Sequence, residues 1–167
     1  MLSSVIRFFL FLLLFFQSSL LHSLSKKEHE LSLCIKRYTL PENESISLYG
    51  AEHVHNPKSR FFWGEFGYGA IGGKRSGYLE GGLLSGVSLF STERARTELV
   101  LLSGAGGGGS APQGGGLFVN PHARFTLTLN SGHRVQFALG YLRFLNGEIE
   151  SICYSVGYQF SYWDLSL

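Results

Sequence analysis

Between Leu117 and Tyr162 apolar residues recur at every second position, and this alternation constrains the fold more than any other feature of the chain. Leu117, Val119, Pro121, Ala123, Phe125, Leu127 and Leu129 alternate with Phe118, Asn120, His122, Arg124, Thr126 and Thr128. After Asn130, Ser131 and Gly132 the pattern resumes with Val135, Phe137, Leu139 and Tyr141, and then again with Ile152, Tyr154, Val156, Tyr158, Phe160 and Tyr162. Side chains of a strand point to opposite faces with period two, so each run predicts a strand with one apolar face and one polar or small face. Ordinary globular strands average about 5–6 residues. These runs reach the roughly 9–11 residues that a tilted strand needs to cross a bilayer.

Strands are predicted over 28–39, 44–54, 60–72, 76–90, 94–106, 114–129, 133–144 and 149–163. Turn residues separate them, notably Pro41 to Asn43, Asn56 to Ser59, Gly72 to Arg75, Ser91 to Glu93, Asn130 to Gly132 and Asn146 to Glu148. No window beyond the N-terminal segment repeats apolar residues with helical period. The 22 glycines and 14% aromatic residues suit a narrow barrel, where glycine lets the wall curve and aromatics form interface girdles. The expectation is all-β: an eight-stranded antiparallel up-and-down transmembrane β-barrel over 26–167. Its termini and the connections after strands two, four and six would face the periplasm. A secreted β-sandwich that acts as a binding module is the alternative, but it would leave the aromatic outer rows uncovered.

The segment before the barrel has one basic residue, Arg7, then an apolar run from Phe8 to Phe16, then serines at 18, 19, 23 and 25. This order is that of a secretory signal peptide, 1–25, and places the barrel in a bacterial outer membrane. An uncleaved anchor is the other reading, and it would want about 20 apolar residues. Formal charge near neutral after removal of the segment gives no indication of a nucleic-acid footprint. Gly104 to Gly109 satisfies a GxGxxG pattern, but no helix can open through Ser110, Ala111 and Pro112 to meet a phosphate, so no nucleotide or other cofactor is expected. Cys34 and Cys153 fall on inward phases of the first and last strands, neighbours in a closed barrel. They are read either as a disulfide across the seam or as two separate buried thiols. His53 and His55, two apart, share a strand face that can bind a metal weakly, but the sequence offers no third ligand, so no metal site is assigned.

Strand three is read with Phe62, Phe66 and Tyr68 on its outer face and Trp63, Glu65, Gly67 and Gly69 inside. Strand four is read with Leu79, Leu83 and Val87 outside. Glu65 and Glu80 would then meet Arg124 and Arg134 across a filled lumen, because buried charges need partners. This ionic plug is structural in one reading and a ligand or proton path in the other.

The stretch from Gly132 to Phe160, through Ala138, Tyr141, Asn146, Gly147, Ile149, Glu150 and Ser151, resembles the end of the outer-membrane lipid A 3-O-deacylases. The resemblance covers about a fifth of the chain and implies an eight-stranded barrel. Ile149, Glu150 and Ser151 match the family's Ile-Glu-Ser element, but its His and Ser positions fall on Gly140 and Leu142. The glycine-rich block and the Asn-Gly turn also resemble small barrel proteins of Gram-negative bacteria. Glu150, Ser151 and His122 remain as the candidate groups for a lipid A ester hydrolase. The expected role is non-catalytic: structural, adhesive, or binding of outer-membrane lipid, lipopolysaccharide or other envelope components.

Overall fold

The structure is a computed structural model and describes residues 25–41, 44–130 and 132–166. The segment read as a signal peptide lies outside the described residues, apart from Ser25. Eight strands follow in order: β1 (Ser25–Thr39), β2 (Ser45–His55), β3 (Phe61–Ala70), β4 (Leu79–Ser91), β5 (Ala95–Gly107), β6 (Leu117–Asn130), β7 (His133–Phe144) and β8 (Glu150–Ser166). Each pairs antiparallel with the next, and the sheet closes on itself as a barrel. It is one closed sheet and not the two packed sheets of a sandwich. The compact unit Glu28–Tyr162 holds the barrel core and its interior charges; residues 25–27 and 163–166, which belong to a second unit, are strand residues of β1 and β8.

The turns form where the sequence supplies unusual backbone. Asn56 adopts a φ of 52° after β2, and Gly132 a φ of 87° between β6 and β7, both left-handed values disfavoured by residues with a Cβ. Between β4 and β5, Thr92 donates its N–H to Ala95 O (2.8 Å) while its hydroxyl accepts from Ala95 N (3.0 Å), which locks a short connection. The glycine-rich block divides: Gly104 to Gly107 belong to β5, while Gly108, Gly109, Gly114 and Gly116 turn the chain with positive φ. No α-helix forms among the described residues. Pro121 interrupts the ladder between β6 and β7, whose pairing steps from Val119↔Arg143 to His122↔Gly140, as expected of a residue without a backbone donor.

The outward rows of β4, β6, β7 and β8 are those the alternation predicts; Leu83, Phe125, Phe137 and Val156 are exposed. Strand β3 has the opposite phase. Phe62, Phe66 and Tyr68 are buried, whereas Phe61, Trp63 and Glu65 face outward. The cause is room: a Cβ built on Gly86 of β4 would lie 2.3 Å from the Phe62 ring, and one on Gly50 of β2 would lie 2.6 Å from the Tyr68 ring. Inward glycines therefore seat inward aromatics. Tyr78 sits over Gly106 of β5 in the same manner. With Phe118, Phe144, Leu48 and Leu102, these rings make a core inside the barrel.

Candidate functional site

Inside the barrel, charged side chains from facing walls pair at three levels. Lys36 of β1 donates to Glu80 of β4 at 2.7 Å, and the hydroxyls of Tyr38 and Tyr78 donate to the other Glu80 oxygen at 3.2 Å each. Arg124 of β6 donates to Glu52 of β2 and lies 3.6 Å from Glu98 of β5. Tyr68 donates to Glu52 at 2.5 Å. Arg96 of β5 donates to Glu30 of β1 at 2.6 Å and lies 3.0 Å from Glu98, while Arg134 of β7 donates to the second Glu30 oxygen and to Ser161. Gln159 adds a donor to Glu30 at 3.0 Å. Four cations thus face four carboxylates. Burial of any one alone would be strongly unfavourable, and the tyrosine and glutamine donors satisfy lone pairs that the ion pairs leave.

The interior is closely filled. Around Lys36, Glu52, His122 and Cys153 there remains a void of about 10 Å³, on the scale of a single water. At the end where β1 starts, a wider polar vestibule of about 240 Å³ lies against Glu30, Arg96 and Arg134.

Glu80, Arg124 and Arg134 lie in this network, but none of the three pairs with another. Glu65 is a correction: with β3 in its observed phase, its half-exposed carboxylate points outward. Sequence reasoning does not find Glu30, Lys36, Glu52, Arg96 and Glu98, although Leu31, Leu33 and Ile35 alternate with Glu30, Ser32, Cys34 and Lys36 in the same pattern as the later strands. Cys34 and Cys153 are buried free thiols, so no disulfide crosses the seam. Cys34 instead accepts from Gln136 at 3.1 Å.

The three hydrolase candidates are not brought together. His122 is buried on the inward face of β6, whereas Glu150 is exposed on the outward face of β8 and accepts from Tyr141. Ser151 Oγ accepts from Thr39 N and donates to Ile152 O, both at 3.0 Å. Gly140 has no space for a side chain, since a Cβ there would lie 2.3 Å from that of His122. Leu142 is wholly buried.

Outside the barrel, the β1, β2, β3 and β8 rows meet in a polar cluster on a wall whose exposed rows are mainly apolar. Glu65 accepts from His53 Nδ1 (2.5 Å) and His55 Nε2 (3.0 Å). His55 Nδ1 lies 3.1 Å from His29 Nδ1, and Tyr162 OH lies 2.7 Å from His53 Nε2. Trp63 stacks on His55 at 4.1 Å between ring centroids. The register His29↔His55↔Trp63 brings together residues that the linear sequence keeps apart.

No protein-family model matches the chain, and no curated protein matches it. Among solved structures, it is similar to a chain described as "De novo design of transmembrane beta-barrels". The likeness has a TM-score of 0.52, covers 80% of this chain and 95% of that one, and comes with 9% identity. It is a likeness of fold.

Proposed function

We propose that the protein spans a bacterial outer membrane as a plugged, non-conducting barrel whose role is structural, adhesive or binding of envelope lipid. The observation that carries this reading is the division of chemistry between the two sides of one wall. Leu83, Leu99, Phe125, Phe137, Leu139 and Val156 are exposed outside, while the paired carboxylates and cations are sealed within. A water-soluble domain of this size would be expected to cover such rows, since contiguous apolar patches beyond a few hundred Å² mark interaction surfaces. Strand length agrees: the strands have 10–17 residues, and about 11 residues at about 3.3 Å rise, tilted about 40°, already span roughly 26–28 Å, close to the ~25 Å apolar band of such barrels. The fold likeness to designed transmembrane barrels supports the same reading.

The test is to express the full chain in a Gram-negative host, fractionate the envelope, and reconstitute the purified protein in planar bilayers. The protein should fractionate with the outer membrane, migrate differently on gels with and without boiling, and give no steady ion current. Recovery from the aqueous fraction would overturn the membrane reading, and a steady conductance would overturn the plug.

A further inference from the structure

The outward cluster on β1, β2 and β3 has the composition of a metal site, and its hydrogen bonds have the polarity of one. His29, His53 and His55 each offer a ring nitrogen, and these atoms all lie within 4.8 Å of one another. A tetrahedral ion with metal–nitrogen bonds of about 2.0–2.1 Å holds its ligands about 3.3–3.4 Å apart. The His29 and His55 nitrogens, 3.1 Å apart, are already near that spacing. A pair at the 4.8 Å limit would need about 1.4 Å of closure to reach tetrahedral spacing, within reach of a modest ring rotation on side chains that are partly exposed.

Glu65 determines which nitrogens remain for an ion. Its two oxygens accept from His53 Nδ1 and His55 Nε2, so both imidazoles are held as the tautomers that leave His53 Nε2 and His55 Nδ1 with their lone pairs. His55 Nδ1 faces His29, and His53 Nε2 faces the Tyr162 hydroxyl. A carboxylate on the far nitrogen of a ligating histidine is the usual outer-shell device that fixes the ring and raises its basicity. Here one carboxylate serves two rings at once. The stack of Trp63 on His55 further restricts that ring. These contacts also answer why a glutamate stands among outward aromatics, where an unpaired charge would be costly against lipid.

We propose that His29, His53 and His55 bind one divalent late first-row ion, of the zinc, nickel or copper class, with Glu65 as the positioning residue. Imidazole donors favour these ions over magnesium or calcium, which prefer oxygen. Three protein ligands leave a fourth coordination position open. Binding at His53 Nε2 displaces the Tyr162 hydroxyl.

The experiment uses the full, untagged chain refolded in detergent, titrated calorimetrically with Zn²⁺ and spectroscopically with Co²⁺. The expected result is one ion per chain, with cobalt absorption of a nitrogen-rich, low-coordinate site. His29→Ala, His53→Ala and His55→Ala should each abolish saturable binding, whereas His133→Ala, which removes a histidine bonded to Tyr158, should not change it. Glu65→Gln should weaken binding about 10–100-fold without changing stoichiometry. Heat-modifiable gel migration establishes that each variant is folded, and ¹⁵N-imidazole spectra of the unaltered chain should show three histidines shifting with Zn²⁺. Absence of saturable binding by the folded chain, or retention of the bound ion by the triple His→Ala variant, would overturn the proposal.

Discussion

Lys36 and Glu80 are both fully buried and 2.7 Å apart, and the two tyrosine hydroxyls on Glu80 complete a site that neither charge could occupy alone. Replacing Glu80 with Gln leaves the ammonium of Lys36 without its counter-ion, a change of the kind that costs about 3–5 kcal/mol. Glu80→Gln with Lys36→Met should cost less than the sum of the two single changes, whereas Glu80→Gln with Arg134→Gln should be nearly additive. Denaturant unfolding in detergent, followed by tryptophan fluorescence, measures all three. Additivity of the Lys36 pair would remove the coupling. The partner choice was not legible in the sequence, because these residues are 44 positions apart and meet only across the lumen. Alternation states which face a residue takes, and it is silent about which residue waits across the lumen.

Strand phase is legible where polar and apolar residues alternate cleanly, as in β6 and β8, and ambiguous where both rows carry rings, as in β3. Phe61, Phe62, Trp63, Phe66 and Tyr68 allow either assignment by composition, and the inward glycines of the adjacent strands decide it. Gly86→Ala should therefore destabilise by about 1–3 kcal/mol through overpacking against Phe62, and Phe62→Leu in the same chain should recover part of that loss. Gly67→Ala, on the outward row of the same sheet with nothing within 4 Å of its added Cβ, should be close to neutral. Equal losses at Gly86 and Gly67 would contradict the observed phase. On β7, Phe137 faces outward opposite Phe125, well inside the strand. Phe137→Arg should cost about 2–4 kcal/mol in a bilayer, while Leu129→Arg, one residue from the end of β6, should cost about 0–1 kcal/mol. Folding into lipid vesicles at graded urea concentrations distinguishes them, and equal costs would mean that depth in the membrane does not order these positions.

Across the whole molecule, the eight strands, their sequence and their closure were legible because turn chemistry and long alternating runs are both local. The histidine cluster was half legible: His53 and His55 announce a shared face, but His29 arrives through pairing with a strand 26 residues away. The ionic interior, by contrast, joins strands that are remote both in sequence and around the wall. Glu30 on β1 reaches Arg96 on β5, and Glu52 on β2 reaches Arg124 on β6. In a ring of eight, strands four places apart stand opposite one another, so these links run as spokes across the cross-section. A hoop of strands joined only to neighbours can flatten into an oval, since hinging between strands breaks few ladder bonds. Spokes along two successive diameters oppose that flattening, and the hoop stays round under the sideways squeeze of its surroundings.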